Sequence, residues 1–344
     1  MPALTKNKKL IIRLLISITI TVFFIYFIVK NLNINDFKNL INNINIYFIL
    51  IALSIHTICY LVRSLRILVL LKIKFSEFNN IFFTVSRHYI LNKILPVRIG
   101  ELSLVYFLKN EQEISYTKGL GALLYLRILD LLAVPLFFIV AFSINFSSFS
   151  NSNNIIILLI FLILFIMLFF VFIFLGKILN LILKFLKLLP KKIKWLEKNI
   201  YFKFLEKYKN LADEINKFIK LKTNIKVIIL TILNRLLNSL VAYTIFFGFG
   251  ISIGFINFII GSTLSILTEA LPVSGIGSFG TFEAGWTLGF VLIGYNQKLS
   301  LLTGFGVNII FFIFTIFLLI ISFFLSKYRE IITRKFLKLV KGNS

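Results

Sequence analysis

Apolar residues along the chain form long unbroken runs rather than alternating patterns. A helix crossing a hydrocarbon layer of about 30 Å needs about 20 apolar residues. Six stretches meet that requirement: 11–29, 46–65, 119–142, 155–175, 225–247 and 300–326. Two more, 78–109 and 255–294, are also apolar but carry Pro, Gly and charge in their middles. Backbone left unpaired at that depth is tolerated only inside protein or beside a wet cavity. Each is therefore predicted to be a helix–break–helix hairpin that enters and leaves on one side. The predicted fold is an all-α polytopic membrane protein, one integral membrane domain over residues 1–344 with about six full spans and two re-entrant helix hairpins. The first run follows Lys6, Lys8 and Lys9 as a signal peptide would, but no small-residue cleavage site follows it. It is read as a retained span.

The order of elements suggests repetition. Residues 1–143 read span, span, hairpin, span, and residues 155–326 read the same from the opposite side. Both hairpins break at the same tripeptide, Leu95-Pro96-Val97 and Leu271-Pro272-Val273. Opposed halves with broken helices in matching places are the pattern of inverted-repeat transporters.

Composition narrows the class. The chain is 59% hydrophobic and 15% charged, against about 25% charged in soluble domains, which excludes an ordinary soluble enzyme. The formal net charge of +25 would suit nucleic acid on a soluble scaffold, but here the cations lie between apolar runs, so no nucleic-acid partner is expected. Placing the N-terminus in the cytoplasm puts 33 of the 38 cations on the inner side and only Lys30, Lys38 and Lys298 outside. The positive-inside rule thus predicts a multi-pass protein of the cell membrane with both termini cytoplasmic. Arg127 and Arg235 remain, inside spans.

Cys59 is alone and His56 and His88 are the two histidines, so neither a disulfide nor a Cys/His metal cluster is expected, and no cofactor is either. The sequence contains no P-loop, H-E-x-x-H or G-x-S-x-G pattern, and no catalytic residues are assigned.

Ionisable groups at bilayer depth are costly and therefore informative. At the first break, Pro96 ends a half-helix, Gly100 lets the chain reverse, and Arg98 either pairs with Glu101 or faces a phosphate. In the third span Arg127 and Asp130, three apart, share a helix face and either pair with one another or serve a site. Arg235, about ten residues into its span, is ~15 Å deep. It has no acid near in sequence, so its partner must come from Asp130, Glu269 or Glu283. At the second break, after Pro272, the run Ser274-Gly275-Ile276-Gly277-Ser278-Phe279-Gly280 lacks the strand and distal acid of a dinucleotide fingerprint. It reads instead as a Gly-rich gap between half-helices, whose free N–H groups form an anion site or a purely structural kink. Glu283 opens the outgoing half-helix. The stretch 177–222 carries thirteen cations and four acids. From Ile193 its apolar positions follow helical spacing, giving a cytoplasmic basic amphipathic segment suited to anionic inner-leaflet lipid.

Three motifs in order, Leu95-Pro96-Val97-Arg98-Ile99-Gly100-Glu101, Leu126-Arg127-Ile128-Leu129-Asp130, and Leu271-Pro272-Val273-Ser274-Gly275-Ile276-Gly277 ending in Phe282-Glu283, resemble the transmembrane region of lysylphosphatidylglycerol synthases. That flippase-like family includes many stand-alone members, and the resemblance covers nearly the whole chain. It implies lipid translocation: in bifunctional members the membrane part moves aminoacylated phospholipid while a cytoplasmic domain makes it. Stand-alone members are linked to glycolipid or polyprenyl-phosphate sugar pathways.

The chain is accordingly expected to move a polar-headgroup lipid between leaflets: an aminoacyl-phospholipid, a phospholipid or a polyprenyl-phosphate glycolipid. Arg98, Arg127 and Arg235 would hold phosphate, and Glu101, Asp130 and Glu283 would balance those charges and contact any cationic moiety. Ser274, Gly275 and Gly277 would line the anion site, with Pro96, Gly100, Pro272 and Gly280 as structural breaks. Membrane lipids are the expected partners, together with a separately encoded lipid- or glycan-synthesising enzyme. The competing class is a membrane-embedded transferase or accessory subunit in lysyl-phosphatidylglycerol or polyprenyl-phosphate glycan synthesis.

Overall fold

The structure is a computed structural model that describes residues 34–146, 152–188, 198–220, 224–270 and 276–342. The expected span 11–29 lies outside them, as do Pro272, Ser274 and Gly275. The described residues form eleven α-helices and no strand. In chain order these are α1 (Ile34–Asn42), α2 (Ile46–Leu71), α3 (Phe78–Ile94), α4 (Leu102–Gln112), α5 (Tyr116–Ile144), α6 (Ser152–Leu188), α7 (Lys198–Lys220), α8 (Asn224–Gly248), α9 (Phe255–Glu269), α10 (Thr281–Leu292) and α11 (Gln297–Gly342). Five of them, α2, α5, α6, α8 and α11, are long and apolar enough to cross a membrane. The two interrupted stretches become the pairs α3–α4 and α9–α10, each broken in the middle.

Besides α11, which continues past 326 to Gly342, two boundaries differ from the sequence reading, both for one reason. Nothing in 66–71 breaks a helix, so α2 runs to Leu71 and stops at Lys72, whose left-handed backbone (φ 56°) caps it. Arg66, counted above among inner-side cations, is thereby inside a spanning helix, as is Arg63, which already falls within 46–65. Likewise α6 continues to Leu188, so the first part of 177–222 extends the span and the separate amphipathic helix is α7. Gly176 does not end α6. It makes room for the side chain of Asn216 on α7, which a Cβ there would strike.

Interhelical bonds set the directions. The Asn45 N–H donates to the Gly248 carbonyl (2.9 Å), so α2 begins where α8 ends and the two run antiparallel. At the opposite end Lys118 reaches the Leu71 carbonyl (3.5 Å) and Tyr125 bonds to Asn224. Around the α2–α8 pair, α3 packs on α11 and α9 packs on α5, while α4 packs on α5 and α10 on α11. Burial follows this division. One cluster joins Tyr60, Ile81, Val85, Leu108 and Leu126, and another joins Phe246, Phe258, Trp286, Phe290 and Val307. Helix α6 stays mostly uncovered, showing Ile160, Ile163 and Phe170 outward, as a lipid-facing helix does. On α7 the face holding Ala212, Ile215 and Phe218 is buried, whereas Phe202 and Phe204 are exposed.

The tightest seam lies between α9 and α10. A Cβ at Gly289 would overlap the Gly261 carbonyl, and one at Gly285 the backbone and side chains of α9. Small residues let helices approach this closely. Gly289→Ala should therefore part the hairpin and lower stability by about 2–3 kcal/mol. Gly254→Ala, where nothing stands within 4 Å of the new carbon, should cost no more than about 1 kcal/mol. Thermal unfolding in detergent compares the two, and equal melting temperatures would refute the seam.

Candidate functional site

Both hairpins end at depth because their helices are short. At 1.5 Å per residue, the 17 residues of α3 and 15 of α9 rise ~25 and ~22 Å, less than a hydrocarbon core. Leu95 leaves α3 in extended conformation and Pro96 opens the 3-10 turn Pro96–Glu101. Gly100 plays a different part from the one expected. Its φ is not positive, but a Cβ would run into the backbone of Leu91 and Asn92, so glycine lets the turn lie flat on α3. The side chain of Arg98 lies outside the described residues, as do those of Pro96 and Val97.

At the second break Gly277 (φ 72°), Ser278 (φ 60°) and Gly280 (φ 93°) are all left-handed, a conformation that glycine adopts without steric cost. Gly280 caps α10 by donating its N–H to Glu283 Oε2 (2.6 Å). Asn308 of α11 ties the two tips together. Its amide donates to the Gly277 carbonyl (3.1 Å) and to Glu283 Oε1 (2.8 Å), and its oxygen accepts from Lys93 Nζ (3.2 Å) at the end of α3.

Between the tips and the α2–α8 pair lies a cavity of about 500 Å³. Glu101, Arg127, Asp130 and Arg235, all expected at the site, line it. Glu283 is 1% exposed and sits behind the wall, and Gly277 is buried beside it. Asp130 falls at the centre of α5, and Arg235 within one residue of the centre of α8. The sequence reading missed Arg63, Lys93, Asn92 and His56 as lining groups, and Arg66 as a partner.

The pairings correct the local expectation. Arg127 and Asp130 do not satisfy one another: Arg127 pairs with Glu101 across the first break, and Asp130 takes Arg66 of α2 through both carboxylate oxygens, one of them at 3.1 Å. Arg66 is 4% exposed and also donates to Thr231 of α8 (3.3 Å). Arg63 donates to Asn234 (3.2 Å) and Asn238 (2.7 Å) and lies 4.1 Å from the centre of the Tyr89 ring. Glu269 accepts from Ser278 (3.2 Å). Arg235 makes no ion pair with any described acid, and its Nε and Nη2 are buried without a hydrogen-bond partner among the described residues. Its guanidinium lies 5.9 Å from the centre of the Phe137 ring.

Such a site offers hydrogen-bond donors and charge. It is suited to holding a polar group at a depth where lipid offers none.

A family model described as the lysylphosphatidylglycerol synthase TM region matches residues 10–337. No curated protein and no solved structure matches the chain.

Proposed function

Because the chain belongs to the lysylphosphatidylglycerol synthase TM-region family, we propose that it moves a polar-headgroup lipid between membrane leaflets. The observation that carries this reading is the polar cavity at the centre of the bundle, bounded by two half-crossing hairpins. A headgroup housed there would avoid hydrocarbon while its acyl chains stay in the bilayer. Leu124, which is 40% exposed and also lines the cavity, marks an opening on the outer flank of α5 where the chains would pass.

The packing supports an inverted repeat. Exchanging α2 with α8, the α3–α4 hairpin with α9–α10, and α5 with α11 carries each of the main contacts described above into another. Such a pair of halves would rock about the α2–α8 contact to expose the cavity to either side. Lysine and arginine asymmetry supports cytoplasmic termini in the cell membrane, and the exposed Phe202 and Phe204 among lysines of α7 support contact with anionic lipid. A lipid- or glycan-synthesising enzyme would supply the lipid.

Proteoliposomes carrying NBD-labelled phospholipids and polyprenyl-phosphate glycolipid test the proposal, with dithionite bleaching reporting the leaflet. Movement well above empty vesicles is expected for at least one lipid. Folded protein that moves none would sink the proposal, and product formation without movement would make the chain a transferase. Arg127→Gln, which removes the charge facing Glu101, should reduce the rate at least about tenfold with membrane insertion unchanged. An unaltered rate would remove Arg127 from the site.

A further inference from the structure

Several residues that line this one cavity carry buried side-chain atoms with no hydrogen-bond partner among the described residues. They are Arg235 Nε and Nη2, Asn92 Oδ1, Ser239 Oγ and both ring nitrogens of His56. Arg235, Ser239 and His56 are each more than nine-tenths buried. Buried polar groups are ordinarily hydrogen-bonded, so this clustering describes the complement of a ligand. Arg235 asks for an anionic acceptor, Asn92 for a donor, and Ser239 and His56 for groups that both give and take.

Charge points the same way. Glu101 is matched by Arg127 and Asp130 by Arg66. Glu269 and Glu283 flank the single Lys93, while Arg63 is held by two amides and two rings. Counting these described groups together with Arg235 leaves one cation in excess. A phosphate would neutralise it. A lysyl ester of phosphatidylglycerol, with two ammonium groups and one phosphate, would raise it instead.

Resting on the translocation reading, we infer that the cavity selects an anionic phosphodiester lipid with a hydroxylated headgroup, a glycerol or a sugar, and disfavours a cationic aminoacylated one. Phosphate sits against Arg235, and headgroup hydroxyls reach Asn92, Ser239 and His56.

The rates of NBD-labelled phosphatidylglycerol and its lysyl ester, compared in the same proteoliposomes, test this. Opposite and like charges a few ångströms from Arg235 predict a preference for phosphatidylglycerol of at least about tenfold. Equal or faster movement of the lysyl ester would overturn the selectivity and leave translocation standing. If neither lipid moved, translocation would rest on the glycolipid alone, and quenching of Trp286, which lines the cavity, would judge selectivity by binding. There, dioctanoyl-phosphatidylglycerol should bind at least about tenfold more tightly than its lysyl ester, and the reverse order would overturn the inference. Glycerophosphoglycerol, which has the phosphodiester and the headgroup hydroxyls but no acyl chains, should compete weakly. Competition equal to the lipid's would make the ligand a soluble phosphoester and overturn the lipid assignment.

Discussion

Asp130→Asn should be among the most destabilising single changes in the protein. Arg66 is 4% exposed and its two terminal nitrogens meet the two oxygens of Asp130. Removing the carboxylate charge leaves a guanidinium sealed between α2, α5 and α8. Breaking one side of a buried pair in this way costs about 3–5 kcal/mol, because the remaining charge can neither hydrate nor deprotonate. The Thr231 hydroxyl, Arg66's other partner, is neutral and cannot replace the acid.

Thermal unfolding in detergent should show a large drop for the single variant. The paired replacement Arg66→Met with Asp130→Leu should recover most of it, since swapping a whole buried pair for apolar groups of similar volume is often neutral or stabilising. That double variant should nevertheless stay inactive in transport, having lost a charged wall of the cavity. A single variant that melts like the parent would mean that Arg66 is solvated, and the pair would then carry little of the fold.

The two ion pairs also explain where the sequence was legible. Long apolar runs and their Pro/Gly interruptions located every described span and both hairpins, because backbone satisfaction in lipid leaves few alternatives. Charge partners followed a different logic. Arg127 and Asp130 are near neighbours on one helix face, yet each bonds a residue on another element, 26 and 64 positions away. Spacing along a helix reports who shares a face, not which helix arrives opposite.

Arg66 was missed because the charges near the end of α2 lower the hydropathy there, so the apolar window stops at 65, before the helix does; Arg63 falls inside that window but was counted with the inner-side cations. Lys93 was missed because a cation near a break reads as a loop residue. All three belong to the 33 cations assigned to the inner side, so part of that asymmetry describes the cavity rather than orientation. With them set aside, 30 cations still stand against three outside. Gly100 carried a legible signal with the wrong cause, a close approach rather than a reversal.

Arg235 reverses the logic of Asp130. Its charge lies at the middle of α8, 9% exposed, with no ion pair among the described acids. Asp130, whose field reaches it, already spends both oxygens on Arg66. A lone cation at the centre of a spanning helix costs about 2.5–3.5 kcal/mol on insertion scales. Folding alone would select against it, so its presence is best explained by a ligand that meets it only transiently.

Arg235→Met should therefore raise stability by about 1–3 kcal/mol while reducing transport at least about a hundredfold. Arg235→Lys keeps the charge but loses the two-pronged fit to phosphate, and should be intermediate in rate with little gain in stability. Melting temperature and vesicle transport, measured on the same preparations, separate the two roles. A methionine variant that melts lower than the parent would give Arg235 a structural partner in the resting protein, and an undiminished rate would remove it from the transport path.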